Sequence, residues 1–336
     1  MKKFSWILFS LLFVVACKND ITTLSELKTD FYEYREKPLH MGDTLQIKFG
    51  ANEDKIDSVI LTLNGKDYKN PVVLDFNNAT LGLNPLQMKV YVDGSSIFGE
   101  VNLPVLSGEK ETEIQYEIVK EYPHSTELFT QGFFYHNNKI YESAGLYQKS
   151  RLVTYSLGAT SFSQEVKQDN RIFSEGIALL NNKIYMLTYR ERKILVFDPT
   201  NLSLIQTLEM PTQMREGWGI TSNGKELIMS DGTQNIFFFD ENLNLVRRIQ
   251  VAGYVSIYTN INELEYIEDR IYANVWGTNY ILVINPENGM VEQYFDLSKI
   301  SETKGSDDVL NGIAQYGSHL LVTGKTWSKI YEIARK

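Results

Sequence analysis

Apolar positions recur at a regular interval over the second two-thirds of the chain. Five short segments, each ending on an apolar residue, are followed seven residues later by a second apolar anchor. The segments are Gln131-Gly132-Phe133, Glu175-Gly176-Ile177, Trp218-Gly219-Ile220, Asn262-Glu263-Leu264 and Asn311-Gly312-Ile313. The anchors are Ile140, Ile184, Leu227, Ile271 and Leu320. A turn sequence such as Asn137-Asn138 separates the two sets, so each unit is predicted to open with a β-hairpin.

The spacing of these units predicts the architecture. Successive units begin 44, 43, 44 and 49 residues apart. A repeat of about 40–50 residues that contains several strands is typical of a β-propeller. We therefore predict a five-bladed β-propeller over residues 112–336. The fifth unit ends before a last strand, and Ile114–Val119 is expected to supply that strand and close the ring.

Two positions in each unit do not repeat their residue type. The leading position holds Gln131, Glu175, Trp218, Asn262 and Asn311. The position five residues after the second anchor holds Gly145, Tyr189, Gly232, Trp276 and Lys325. Because the apolar anchors repeat and these positions vary, we expect two rings of unlike side chains to converge near the central axis. They would bring a carboxylate, amides, indoles and one amine together.

The region before the repeats has a different pattern. Residues 29–108 alternate polar and apolar positions over short stretches, with turn sequences at Asn64-Gly65 and Asp93-Gly94. Short strands at this spacing are typical of a small sandwich, so we predict an immunoglobulin-like β-sandwich. The whole chain is thus expected to be all-β, with a short polar tether over residues 17–28.

The first residues have the features of a targeting segment. Lys2 and Lys3 precede an apolar run, Phe4–Ala16, which is too short to span a bilayer as a stable helix. Val14-Val15-Ala16-Cys17 resembles the lipobox of bacterial lipoproteins. We therefore predict that residues 1–16 are a lipoprotein signal peptide and that Cys17 is lipidated. The protein would be an exported lipoprotein of the outer membrane, on its periplasmic or surface face. The alternative is an ordinary signal peptide with a buried cysteine.

Composition excludes some classes of function. The 336 residues carry a net charge of −9 and have no long run of Lys or Arg, which argues against a nucleic-acid partner. None of the four histidines has a His or Cys partner at the spacing of metal ligands, so we expect no metal and no cofactor. Cys17 is the sole cysteine, which leaves the exported protein without a disulfide. We expect a monomer.

Glu175 is the candidate for acid–base chemistry. An exposed glutamate has a pKa of about 4.3 and is a poor proton donor at neutral pH, but apolar surroundings would raise that pKa. The alternative is a solvated carboxylate at a channel mouth. Lys325 is the one amine in the second ring and would pair with Glu175 or hold a substrate carbonyl, unless it is a surface lysine.

The remaining ring members suit substrate binding. Asn262 and Asn311 each offer a donor and an acceptor, although either could cap a turn instead. Trp218 and Trp276 are suited to form the walls of a pocket for a small substrate, with a core role as the alternative.

At these residues the chain resembles a known family, the plant-and-bacterial type of glutaminyl-peptide cyclotransferase. The resemblance covers about residues 115–335. The segments that carry it are Phe129-Thr130-Gln131-Gly132, Glu142-Ser143-Ala144-Gly145-Leu146-Tyr147, Phe173-Ser174-Glu175-Gly176, Gly217-Trp218-Gly219, Ser230-Asp231-Gly232-Thr233, Asn262-Glu263-Leu264-Glu265-Tyr266, Asn274-Val275-Trp276, Val309-Leu310-Asn311-Gly312-Ile313-Ala314 and Val322-Thr323-Gly324-Lys325-Thr326-Trp327.

The resemblance implies a five-bladed propeller that converts an N-terminal glutamine of a peptide or protein to pyroglutamate, with release of ammonia and without a catalytic metal. It implies that Glu175 is the acid–base residue. The pocket residues that it implies are Phe129, Gln131, Phe173, Trp218, Asn262, Trp276 and Lys325. One position departs from the plant members, because Tyr189 stands where they have tryptophan.

Two other functions share the same predicted fold. One is a non-catalytic surface lipoprotein that binds peptide or glycan. The other is a propeller hydrolase such as a lactonase, which would need a metal held by several carboxylates and amides. Release of ammonia from a peptide that begins with glutamine would distinguish the cyclotransferase from the non-catalytic protein. Activity that survives a chelator would count against the metal-dependent hydrolase.

Overall fold

The computed structural model describes residues 21–302, 305 and 308–336. The predicted signal peptide and lipidation site, Cys17, lie outside the described residues. Within those ranges, helix is confined to two short 3₁₀ segments, and neither is long and apolar enough to cross a membrane. All other regular elements are strands, which confirms the prediction of an all-β chain.

The region before the repeats contains one large and one small sheet. Its 3₁₀ helices are Phe31–Arg35 and Gly50–Lys55. Its strands are β1 (Leu39–His40), β2 (Thr44–Leu45), β3 (Ser58–Leu63), β4 (Lys66–Lys69), β5 (Val72–Val73), β6 (Gly82–Val92) and β7 (Ser95–Leu106). The order of the large sheet is β1-β7-β6-β3-β4, and β2 pairs with β5.

Alternation of polar and apolar residues explains the large sheet. Alternate residues of β6 are buried, and Leu86, Met88 and Val90 pack with Leu61 and Leu103 in one core. The second sheet is limited to two short strands, which is less than the predicted sandwich requires. The immunoglobulin-like assignment therefore stays a prediction.

The repeats form five sheets of four antiparallel strands in the described residues, and the strand β8 (Thr112–Glu113) joins one of them in parallel. The sheets comprise β10 (Thr130–His136), β11 (Lys139–Ala144), β12 (Arg151–Tyr155) and β13 (Gln164–Lys167); β14 (Ser174–Leu180), β15 (Lys183–Thr188), β16 (Lys193–Phe197) and β17 (Leu204–Glu209); β18 (Ile220–Ser222), β19 (Leu227–Ser230), β20 (Asn235–Phe239) and β21 (Leu245–Gln250); β22 (Ile261–Ile267), β23 (Arg270–Val275), β24 (Tyr280–Ile284) and β25 (Val291–Asp296); β26 (Leu310–Tyr316), β27 (His319–Gly324), β28 (Lys329–Arg335) and β9 (Tyr116–Pro123).

The first strands of these sheets contact one another in a closed cycle. β10 contacts β14, β14 contacts β18, β18 contacts β22, β22 contacts β26, and β26 contacts β10. Each predicted hairpin is present, because the first strand of every sheet pairs with the second. Apolar residues of neighbouring sheets pack between them. This is the arrangement of a β-propeller, as the repeats predict.

The ring is closed by a strand from the start of the region, as predicted, but the strand begins two residues later and continues further than the predicted segment. The prediction placed that strand at Ile114–Val119, whereas β9 begins at Tyr116 and continues to Pro123. Ile114 belongs to a different contact: its N–H donates to the carbonyl of Tyr294 at 2.7 Å, beside β8. The chain therefore follows β25 first and then crosses to β28, with which β9 pairs antiparallel.

The two regions also contact each other through side chains. The Gln250 amide accepts from the N–H of Leu83 and donates to its carbonyl, both at 3.0 Å. Leu81 and Leu106 pack against Ala252 in a small apolar cluster. The side-chain amide of Gln250 thus pairs with the end of β6 as a neighbouring strand would.

Candidate active site

A cavity of about 420 Å³ lies where the starts of the first strands meet the ends of the second strands. Its volume is within the usual range of about 300–1,000 Å³ for small-molecule sites. The residues that line it are Phe129, Gln131, Leu146, Phe173, Glu175, Tyr189, Trp218, Asn262, Trp276 and Lys325. Seven of the ten members of the two predicted rings are in this set.

Four of the five first strands have a shift in pairing register at their leading residue. The pairing of β10 with β11 shifts register around Gln131, and the pairings of β14, β22 and β26 shift in the same way at Glu175, Asn262 and Asn311. A β-bulge inserts one residue into a strand and redirects a side chain. Gln131, Glu175 and Asn262 line the cavity at such bulges, whereas Asn311, at the fourth, does not.

Glycine next to a leading residue allows the first strands to approach. A Cβ on Gly219 would lie 1.9 Å from the carbonyl oxygen of Asn262, on the neighbouring first strand. No side chain fits at that distance, so the repeated glycine is a packing requirement of the ring.

The two glycines of the second ring make room for cavity walls. A Cβ on Gly145 would lie 2.5 Å from the Phe173 ring, and one on Gly232 would lie 2.5 Å from the Trp218 indole. Gly232 also has φ +76, which favours glycine. The varied ring positions therefore include two whose role is to leave space for an aromatic ring.

Glu175 is buried, with 5% of its surface exposed. Burial raises the pKa of its carboxyl group well above the ordinary value. The Lys325 ammonium lowers this pKa, whereas the carboxylates of Glu216 and Glu191 raise it further. A carboxyl group in this setting can hold a proton near neutral pH, which is the property needed for acid–base work.

Lys325 is equally buried and lies beside an amide and a ring. Its Nζ donates to Oε1 of Gln131 at 3.0 Å and lies 4.7 Å from the centre of the Phe129 ring. The amide of Asn311 donates to the same Gln131 oxygen at 3.3 Å and to the carbonyl of Thr130 at 2.8 Å. These contacts hold the ammonium at the cavity wall.

Asn311 differs from the other predicted binding residues. It is wholly buried and is not among the residues that line the cavity. We predicted direct substrate binding, but the structure places its amide behind Gln131, because its bulge turns the side chain toward the first strand of the neighbouring sheet. Its contribution to the site passes through Gln131.

Asn262 lines the cavity and carries an unpaired acceptor. Its Oδ1 is buried and has no hydrogen-bond partner among the described residues. Leaving a buried acceptor unpaired costs about 1–3 kcal/mol. A hydrogen-bond donor that reached this oxygen would remove that cost.

Aromatic rings form the rest of the wall. The Phe173 and Tyr189 ring centres are 5.6 Å apart, and Trp218 and Trp276 line the same cavity. Trp327 instead is 1% exposed and packs against Tyr331 in the core.

The analysis of the sequence missed the residues that support these rings. Glu191, Arg190 and Glu216 lie around the cavity and hydrogen-bond to its wall residues. Their closeness in sequence to Tyr189 and Trp218 was the available signal. Within the described parts of the chain, no group of three or more His, Cys, Asp or Glu residues has the arrangement of a metal site.

Comparisons with known proteins identify relatives of this chain. The family profile described as glutamine cyclotransferase matches residues 95–334. A glutaminyl-peptide cyclotransferase of Arabidopsis thaliana is 35% identical over 231 residues, which are 66% of this chain and 72% of the plant protein. The crystal structure of a Myxococcus xanthus glutaminyl cyclase matches with a TM-score of 0.62 and 30% identity, over 68% of this chain and 99% of that one. The chain therefore belongs to the glutamine cyclotransferase family.

Proposed function

We propose that the protein converts the N-terminal glutamine of peptides or proteins to pyroglutamate and releases ammonia, with Glu175 as general acid and base. The observation that carries this proposal is a buried carboxyl group with a raised pKa in an aromatic cavity, opposite a buried amine. Membership of the family and the names of the two relatives support the reaction.

Binding would bend the substrate for ring closure. The α-amine of the peptide attacks the carbonyl carbon of its own side-chain carboxamide, so both reacting groups are on one residue. Holding such groups in a reactive conformation can be worth about 10⁵–10⁸ M in effective concentration. Asn262 would accept from an N–H of the substrate through its unpaired Oδ1, and the aromatic walls would restrict the side chain.

Proton transfer would complete the reaction. The amine forms the new C–N bond and loses a proton to Glu175. Glu175 then gives that proton to the carboxamide nitrogen, the old C–N bond breaks, and ammonia leaves. General acid–base help of this kind is typically worth about 10²–10⁴-fold.

Lys325 would stabilise the oxygen that becomes negative when the amine attacks. An ammonium group in a buried site interacts with such an oxygen more strongly than in water. Its position at the cavity wall, held by Gln131 at 3.0 Å, supports this role.

The test is ammonia release from a glutamine-initiated dipeptide, with the cyclic product identified by mass. Glu175→Gln should fold as the wild type does but lower turnover by about 10²–10⁴-fold. Glu265→Gln is the matched control, because Glu265 is also a carboxyl on a first strand with its pKa raised by burial, to about 8, but lies outside the cavity. Near-wild-type turnover in Glu175→Gln would remove Glu175 from the mechanism.

The same assay separates the other functions. A wild-type protein that releases no ammonia would support the non-catalytic protein that binds peptide or glycan. Turnover that survives a chelator would argue against the metal-dependent hydrolase.

We further propose that the protein is a monomer anchored through a lipid on Cys17 at the outer membrane. The lipobox-like sequence supports the anchor. The Cys17→Ser variant should lose incorporation of labelled fatty acid and leave the membrane fraction. Membrane retention of that variant without a lipid would refute the anchor.

A further inference from the structure

Two walls of the cavity are linked by a chain of hydrogen bonds outside it. The Trp218 indole N–H donates to one carboxylate oxygen of Glu216 at 3.2 Å. The Arg190 Nε donates to the other oxygen at 2.9 Å, and its Nη2 donates to the Tyr189 hydroxyl at 3.0 Å. The Arg190 guanidinium also lies 4.6 Å from the centre of the Tyr189 ring. We call these four residues the Glu216 clamp.

We propose that Glu216 is a positioning residue for the cyclisation, which holds Trp218 directly and Tyr189 through Arg190 at the spacing that a bent glutamine residue needs. The proposal rests on the proposed function and deepens it. Glu216 itself does not line the cavity, so it acts through the two rings that do.

The clamp depends on both oxygens of a carboxylate. Glu216 faces two donors, one on Trp218 and one on Arg190, and a carboxylate accepts from both. A glutamine at this position has one acceptor oxygen, and its NH₂ group would face a donor. Either the Trp218 indole or the Tyr189 ring would therefore lose its anchor, while the side chain at position 216 would keep its size and shape.

The clamp also explains how a tyrosine serves at position 189. A tryptophan there could not accept a hydrogen bond, because the indole N–H is a donor only. The Tyr189 hydroxyl accepts one from Arg190, and so the ring is tied to the residue that holds Trp218. In this chain the hydroxyl group gives the smaller ring a defined position.

Glu216 adds an electrostatic effect that must be separated from positioning. Burial, Lys325, Glu216 and Glu191 together set the pKa of Glu175, and both of these glutamates raise it. Glu175 must be ionised to take the first proton. Removing either negative charge should lower its pKa and therefore move the base-requiring limb of the pH–rate profile to lower pH.

Glu191 provides the matched control. Its carboxylate accepts from the Tyr147 hydroxyl at 2.9 Å and from the Phe173 N–H at 3.5 Å, and no hydrogen bond joins it to Trp218 or Tyr189 in the described residues. Glu191→Gln and Glu216→Gln thus remove the same kind of charge near Glu175, but only the second opens the clamp.

The experiment compares both variants and the wild type as full-length proteins. It measures kcat and KM for a glutamine-initiated dipeptide from pH 6 to 9, tryptophan emission and melting temperature. Glu216→Gln should lower kcat/KM by roughly 10–100-fold, mainly through KM, because a misplacement of about 1 Å can cost that much. It should also change tryptophan emission. Glu191→Gln, whose contacts are with Tyr147 and the Phe173 backbone, should shift the pH profile, change KM less than Glu216→Gln does and leave the emission unchanged.

Equal KM values for wild type and Glu216→Gln would overturn the positioning role, and so would equal effects of the two variants on KM and emission. A wild-type protein without activity would overturn the proposed function instead. In that case the emission spectra would still decide whether Glu216 holds Trp218. A second variant, Tyr189→Phe, removes the hydroxyl at the other end of the clamp. It should raise KM and, unlike Glu216→Gln, leave the pH profile unchanged.

Discussion

A buried ion pair between His124 and Glu142 joins the last sheet of the ring to the first. Removal of one partner gives a sharp test of the fold. Glu142 lies on β11 and its side chain is wholly buried. It accepts from His124 Nε2 at 3.1 Å, Thr130 Oγ1 at 2.7 Å and the Tyr155 hydroxyl at 2.5 Å. The other ring nitrogen of His124 donates to the carbonyl of Trp327 at 2.8 Å. Because both ring nitrogens face acceptors, the imidazole is held in its charged form.

The pKa of His124 decides how this pair depends on pH. Burial alone would lower that pKa, but the charge and hydrogen bonds of Glu142 raise it above the ordinary value. A raised folded-state pKa contributes stability that is present below about pH 6.5, the unfolded value, and is lost as pH rises through the folded value. In Glu142→Gln the effect of burial is opposed only by the Trp327 carbonyl and the charge of Glu302, so the pKa of His124 should fall.

We therefore predict that Glu142→Gln destabilises the protein most at low pH. Removing one partner of a buried pair costs about 3–5 kcal/mol. At roughly 2 °C per kcal/mol for a chain of this size, the melting temperature should fall by about 6–10 °C at pH 6, and by less at pH 9. The measurement is thermal and urea unfolding from pH 6 to 9.

The matched control is Glu127→Gln in the same region. Its side chain is 82% exposed and 3.9 Å from Arg151, so the melting temperature should not change. Equal destabilisation by Glu142→Gln at pH 6 and pH 9 would mean that His124 is neutral in the folded protein at pH 6, and the account of the pair would be wrong.

Two further predictions concern the cavity and the contact between the two regions. Gly232→Ala should raise KM because its Cβ would lie 2.5 Å from Trp218. Gly224→Ala is the control, because Gly224 has a similar backbone strain at φ +83 but open space around it, so this variant should keep the wild-type KM. Equal KM values for the two variants would refute the steric role of Gly232. Gln250→Ala should lose two hydrogen bonds to Leu83, worth about 1 kcal/mol each, and should speed amide exchange in β6 but leave turnover unchanged. Unaltered exchange in β6 would show that the apolar cluster of Leu81, Leu106 and Ala252 is sufficient to hold the contact.

The repeat can be predicted from the sequence because the packing of neighbouring sheets requires apolar residues at regular intervals. Apolar anchors recur in all five units, and a glycine follows the leading residue in four of them, because first strands approach closely there, as Gly219 shows beside Asn262. The same repeat predicts which residues converge, because equivalent positions of a ring lie at equivalent distances from its axis. The repeat therefore predicts that Glu175, Asn262 and Lys325 lie close together, and the three residues line one cavity.

Other features depend on contacts that spacing does not encode. The bulge at Asn311 turns that side chain behind Gln131, although its repeat position equals that of Glu175. The closing strand begins at Tyr116 because Ile114 pairs first with β25. Glu216 is outside the repeat positions, and its role depends on the distance to two side chains from different sheets.

A raised pKa alone does not single out the residue that we propose for acid–base chemistry. Burial raises the pKa of Glu175, Glu263 and Glu265, all on first strands of the ring. Glu263 accepts from the N–H of Ile313 at 3.0 Å, so its carboxyl group joins two first strands and lies outside the cavity. Glu265 accepts from Gln315 and Thr221 and is outside the cavity as well. Glu175 alone of the three lines the cavity, together with Lys325, Asn262 and the aromatic residues of its wall. Several strand positions bury a carboxyl group, but only this one opens on the cavity.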